Sequence, residues 1–174
     1  MGEAIVGVVF FIIFIFFFFM VIYLWDVVNR KRLLIRAAKK GHLQKVKFLL
    51  DYTGVDVNVQ NRDGRTALIE AVENGHHDVI LLLLEAGADA NLQNWYGSTA
   101  LIEAVRKDHR DIISLLLEAG ADVNIQNRHG RTALWLAESK GNTEITQLLR
   151  DVAAKRRPWT EKVIGSLFGT RSHT

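Results

Sequence analysis

"GRTALIEAVENGHHDVILLLLEAGADAN", residues 64–91, returns as "GSTALIEAVRKDHRDIISLLLEAGADVN" at residues 97–124, an offset of 33. "GRTALWLAESKGNTEITQLLRDVAA" (130–154) keeps the same register. Upstream, "LLIRAAKKGHLQKVKFLLDYTGVDVN" (33–58) fits from its first helix onward, with one residue inserted around Thr53. A fixed period of this size is the signature of a stacked-repeat architecture, in which each unit buries its apolar face against the next.

Inside one unit the residues read as two short helices and a turn. Thr66, Thr99 and Thr132 stand where a hydroxyl can cap the first helix. The inner face of that helix in the second unit is Ala67, Leu68, Ala71 and Val72, small enough for close packing. Gly75 and Gly141 end it as left-handed caps, with Asp108 in the third unit's equivalent place. The second helix carries Val79, Ile80, Leu82 and Leu83, stops at Gly87 (Gly120 one unit on), and leads into a polar "ADxNxQN" hairpin. Two helices cannot hide their own apolar faces. About four stacked units can, each buried Leu or Val contributing roughly 1.5–3 kcal/mol.

The "G-x-T-A-L" segments at 64–68, 97–101 and 130–134, "NGHHDVILLLLEAGAD" at 74–89 and "AGADVN" at 119–124 resemble the ankyrin repeat family over about residues 33–154. The resemblance implies an all-α ankyrin-repeat solenoid with units at about 33–57, 58–90, 91–123 and 124–154. The family's Thr-Pro-Leu-His tetrapeptide is here Thr-Ala-Leu-Ile (66–69, 99–102) and Thr-Ala-Leu-Trp (132–135). Its Thr–His hydrogen bond is therefore missing, and apolar packing must substitute.

The third unit departs from its sisters at one place. Trp95 and Tyr96 replace Arg62–Asp63 and Arg128–His129. The resemblance implies binding through the hairpin tips and the outer face of the first helix. By position these are Arg62, Asp63, Arg65, Glu73 and Asn74 in the second unit, and Trp95, Tyr96, Ser98, Arg106 and Lys107 in the third. The fourth adds Arg128, His129, Arg131, Ser139 and Lys140. Trp, Tyr and Arg are enriched at binding hot spots. Trp95 and Tyr96 in a cationic rim suit an acidic or phosphorylated protein partner. The competing reading lays Trp95 flat over the neighbouring hairpin as cover.

Nothing in the sequence assembles a catalytic constellation. His42, His76 and His109 recur at one structural position, which indicates a structural role, while His77, His129 and His173 are isolated. Glu70 and Glu103 read as a solvated ridge. The glycines form neither phosphate-binding pattern, and with no cysteine there is no disulfide or thiolate chemistry. No enzyme activity, cofactor or metal is expected.

The flanks differ in kind from the repeats. "AIVGVVFFIIFIFFFFMVIYLW", residues 4–25, holds 22 residues without a charge, a helix of roughly 33 Å, enough to cross a bilayer's hydrocarbon core. Phe10, Phe11, Phe14, Phe16, Phe17, Phe18 and Phe19 supply its bulk, and Tyr23 and Trp25 sit where aromatic rings favour headgroups. The start lacks a basic region and a small-residue cleavage site, unlike a signal peptide. The expected division is therefore an anchor at 1–25, a basic connector at 26–32, repeats at 33–154 and a basic amphipathic tail at 155–174.

Charge follows the same division. Residues 41–154 hold 11 Lys/Arg against 16 Asp/Glu, whereas 26–40 carry six basic residues against one acidic and 155–174 five against one. The positive-inside rule then places the N-terminus outside and the repeats in the cytoplasm. Basic flanks about an acidic centre suit anionic lipid better than nucleic acid, which is not expected as a partner. With no Gly or Pro between Gly7 and Gly41, the anchor can run into the first repeat helix. In the tail, Trp159, Val163, Ile164, Leu167 and Phe168 share a helical face that either lies on lipid or covers the last repeat. The expected role is a membrane-tethered adapter that recruits a protein partner. The alternative is an accessory subunit of a larger membrane complex.

Overall fold

A computed structural model of the chain describes residues 14–18, 20 and 29–155. Among them there is no strand. Residues 29–39 are helical (α1) and are followed by α2 (Leu43–Thr53), α3 (Ala67–Glu73), α4 (His77–Glu85), α5 (Ala100–Lys107), α6 (Arg110–Glu118), α7 (Ala133–Ser139) and α8 (Thr143–Lys155). Within units α3 packs on α4, α5 on α6 and α7 on α8, and the first helices pack side by side, α3 on α5 and α5 on α7. Helix is already present at residue 29, inside the span expected as a connector.

The caps explain why the helices start where they do. Thr66, Thr99 and Thr132 hold extended backbone, and each hydroxyl accepts from the N–H three residues on, that of Ile69, Ile102 or Trp135. These contacts satisfy donors that would otherwise be orphaned. The loops between paired helices turn through left-handed residues, Gly41, Gly75 and Gly141, and in the third unit Asp108 at φ 65°. A non-glycine residue there carries strain of order 1 kcal/mol. Asp108 offsets part of it, because its carboxylate accepts from the Asn142 amide at 2.7 Å.

The core is one apolar layer running between the helix rows. Ala67, Leu68, Ile69, Ala71 and Val72 are all buried, as are Val79, Ile80 and Leu83 from α4. Ala100, Leu101, Ile102, Ala104 and Val105 repeat the first set in α5. Alanines at the helix contact let the backbones approach, and the branched residues fill the space beyond.

Polar bonds stitch the hairpins along the stack. Gln60 donates through Nε2 to the Gln93 carbonyl at 3.0 Å, and Gln93 does the same to Gln126 at 2.9 Å. Asp89 donates its N–H to the Asn58 side chain, and Asp122 to that of Asn91. Identical residues one unit apart thus make identical bonds.

Glu70 and Glu103 do not form a solvated ridge. Both are buried, Glu103 to 1% exposure. Lys39 lies 3.4 Å from Glu70, and Arg65 contacts Glu70 at 2.7 Å and also Glu73. Arg106 reaches Glu73 at 3.5 Å and pairs with Glu103, with Lys107 3.8 Å from Glu73. The charges of Arg65, Glu70 and Glu103 are met as close ion pairs rather than as well-directed hydrogen bonds. The side chains that bury these carboxylates come from neighbouring turns and neighbouring units.

Of the expected anchor, residues 14–18 and 20 are helical, with Phe14 and Phe18 stacked at 6.5 Å between centroids. Among the described residues no helix is long and apolar enough to cross a membrane. Phe16 and Phe17 are exposed. Phe10, Phe11, Phe19, Tyr23 and Trp25 lie outside the described residues, as do the junction to the first repeat and the tail from 156.

Candidate functional site

The hairpin tips form a row, each zipped to the next by main chain. Trp95 donates its N–H to the Asp63 carbonyl at 2.9 Å, and Arg128 to that of Tyr96 at 3.0 Å. Asn61, Asn94 and Asn127 brace the turns, each side-chain oxygen accepting from the N–H groups two and four residues on. Residues 62, 95 and 128 therefore stand at equivalent points of successive units, in the order Arg, Trp, Arg. Helix rows pack about 8–10 Å apart, so the outer two are roughly 16–20 Å from one another.

Trp95 is 59% exposed and Tyr96 69%. The indole also touches its neighbour: a Cβ on Gly64 would fall 2.9 Å from Trp95 Cδ1 and 3.0 Å from its backbone N. Gly64 therefore lets the preceding hairpin pass under the ring edge. Trp95 is pinned on one edge and open on the other, so it is both cover and contact surface. Tyr96 projects further. Both offer rigid aromatic area at low entropic cost, as an interface anchor requires.

The cationic rim is smaller than the sequence suggests. Arg65 is largely covered and held by Glu70 and Glu73. Arg106 and Lys107 are drawn to the same carboxylates. Lys140 turns inward, its ammonium donating to the carbonyls of Arg106 at 2.6 Å and Val105 at 3.2 Å. That position caps the carboxyl end of α5, where a cation is favoured. Ser98 is buried in the returning arm of the hairpin, donating its N–H to Asn94. Asn74 and Ser139 bond back to carbonyls of their own helices. Arg62, Asp63, Arg128 and His129 remain exposed at the tips. Among the described residues Arg62 and Arg128 have no ion pair.

One surface residue escaped the sequence reading. Trp135 replaces Ile69 and Ile102 of the earlier units, both buried, yet is 43% exposed. The Arg131 guanidinium sits 4.3 Å over its ring, a cation–π contact that occupies this cation too.

The histidines are structural in geometry. His42, His76 and His109 each occupy the position before the second helix of a unit. His76 Nε2 lies 3.0 Å from the Lys39 carbonyl, which can only accept, so the ring donates across the repeat junction. Among the described residues no group of His, Asp and Glu has the arrangement of a metal site.

A family model described as ankyrin repeats (3 copies) matches residues 34–127 and 86–158. The chain belongs to the ankyrin repeat family. Ankyrin repeats are protein-interaction modules. Among curated proteins the chain is similar to cortactin-binding protein 2 of sheep (Ovis aries), of mouse (Mus musculus) and of ferret (Mustela putorius furo). Each is 40% identical over 60 residues, which is 34% of this chain and 4% of the relative.

Proposed function

We propose that the ankyrin stack is a membrane-tethered adapter that captures an acidic or phosphorylated protein segment along its hairpin tips and recruits it to the cytoplasmic face of a membrane. The observation that carries the partner surface is the exposed pair Trp95–Tyr96, standing between Arg62 and Arg128. An aromatic centre with a cation on either side is the arrangement in which desolvated rings supply affinity and the charges supply orientation and encounter rate. A relative named for binding cortactin accords with a protein ligand. The tether rests on the uncharged run at 4–25 and on the basic residues that follow it. Its effect is to raise the partner's local concentration at the bilayer without chemistry.

Photo-crosslinking from the full chain in membranes tests this. Wild type should capture a dissociable soluble protein, and Trp95→Ala/Tyr96→Ala should lose it while the circular dichroism spectrum is retained. Equal capture by both chains would remove the tip row as the site. Stoichiometric membrane subunits that stay bound in mild detergent would replace the adapter with an accessory subunit of a larger complex.

A further inference from the structure

The first repeat carries a charge pattern unlike the others. Residues 29–50 contain eight Lys/Arg and no Asp/Glu. Arg30 donates to the Thr53 carbonyl at 2.8 Å, and Lys39 pairs with Glu70. The remaining six, Lys31, Arg32, Arg36, Lys40, Lys45 and Lys47, are all exposed. Among the described residues none of these six is ion-paired. Arg36, Lys40, His42 and Lys45 converge with Leu33 and Ala37 on a hollow of about 280 Å³ between α1 and the start of α2.

Beside this hollow α2 exposes an aromatic pair. Phe48 is 57% and Tyr52 76% exposed, with ring centroids 5.3 Å apart. Lys45, Phe48 and Tyr52 follow one another at helical spacing on the side of α2 away from buried Val46 and Leu49. Water is a poor environment for two exposed rings, here tilted 30° to one another. A soluble anion would use the cations and leave the rings wet. A bilayer surface uses both, since its phosphates meet Lys and Arg while aromatic rings settle at headgroup depth.

We propose that the hollow and the α2 aromatic pair form a binding site for anionic phospholipid headgroups. Arg36, Lys40 and Lys45 hold the phosphate, and Phe48 and Tyr52 enter the interface. The surface is separate from the hairpin tips, so a partner and a bilayer can be held together. It does not depend on the partner reading above. The occupant is a lipid rather than an acidic protein because six exposed cations crowd one helix pair, against two at the hairpin tips, the density that a sheet of anionic headgroups can meet. The apolar run at 4–25 also brings lipid close in sequence.

The chain has no cysteine, so a single Gln44→Cys carries an environment-sensitive fluorophore one turn ahead of Phe48 in the full-length protein. In phosphatidylcholine vesicles containing about a third phosphatidylserine, a lipid-borne nitroxide should quench this label. In pure phosphatidylcholine it should not. Each exposed Lys or Arg contributes about fivefold to partitioning onto an anionic leaflet. Arg36→Gln/Lys40→Gln/Lys45→Gln should therefore lower the docked-to-free ratio roughly a hundredfold, and Phe48→Ser/Tyr52→Ser should abolish quenching. A Ser114→Cys label on exposed α6 should stay unquenched. Equal quenching on neutral vesicles, indifference to both variants, or equal quenching at Ser114 would each overturn the site. So would inorganic phosphate occupying the hollow, seen by phosphorus NMR, with no quenching on vesicles.

Discussion

The imidazole of His76 lies against the α-carbon of Gly41, one repeat earlier. A Cβ added at Gly41 would fall 2.6 Å from His76 Nδ1. The same ring donates to the Lys39 carbonyl, so it cannot retreat without breaking a bond across the junction. Gly41 also holds φ 69°, a conformation that costs a side chain about 1 kcal/mol.

Gly41→Ala therefore combines a clash with strain and should destabilise the stack by about 2–4 kcal/mol. Gly54→Ala, also left-handed but with nothing within 4 Å of the new methyl, should cost only about 1 kcal/mol. Urea midpoints of the two variants check the difference; equal losses would remove the histidine contact as the cause.

Glu103 is buried and paired with half-exposed Arg106, and the fourth repeat carries Leu136 at the equivalent place. Replacing a buried carboxylate by a hydrocarbon of similar volume is often neutral when the partner can reach water. Glu103→Leu should change stability by less than about 1 kcal/mol, whereas Glu103→Ala, which leaves a cavity, should cost about 2–3 kcal/mol. A large loss with Leu would mean that the ion pairing itself holds the repeats together.

Trp95 is pinned at one edge by Gly64 and Tyr96 is almost free. Their double alanine variant should lower unfolding free energy by no more than about 1.5 kcal/mol yet weaken partner binding at least about thirtyfold. Calorimetry on a captured partner peptide, set beside thermal melts, separates the two effects. A stability loss of several kcal/mol would make the ring a packing element first.

Arg62 and Arg128 are the exposed tip cations, and rim charges act mainly on encounter rate. Arg62→Gln/Arg128→Gln should slow association about tenfold at low salt and flatten its dependence on ionic strength. Lys140→Gln should leave association nearly unchanged, because that ammonium already caps α5. Stopped-flow association across a salt series distinguishes them.

Much of the fold was legible from local chemistry. A threonine before each Ala-Leu run marked a cap, and Gly75 and Gly141 after the first helix of their units marked left-handed turns. Both are decided by neighbours in sequence. Burial of Glu70 and Glu103 was not legible, because helical period alone places a glutamate on the water side. It takes Lys39, Arg65 and Arg106 from adjoining turns and units to reverse that. Trp135 was missed for a related reason. Its counterparts Ile69 and Ile102 are covered by the next repeat, while in the described residues nothing follows the fourth. Of the expected rim, the arginines at hairpin tips stayed outside, and Arg65, Arg106 and Lys140 turned to carboxylates and carbonyls that spacing could not reveal. Phe48 and Tyr52 escaped notice because aromatic residues at helical spacing ordinarily face a core.

The glutamine and asparagine stitches along the hairpins bear on how such a chain changes length over generations. Since these hairpin stitches are made by the same atoms meeting the same atoms, a copied segment of 33 residues finds that pair of mating edges ready between the existing units. Growth or shortening by whole modules leaves no seam to be re-cut. Novelty can then be confined to a single tip, as at Trp95 and Tyr96, while the joinery beneath it stays fixed.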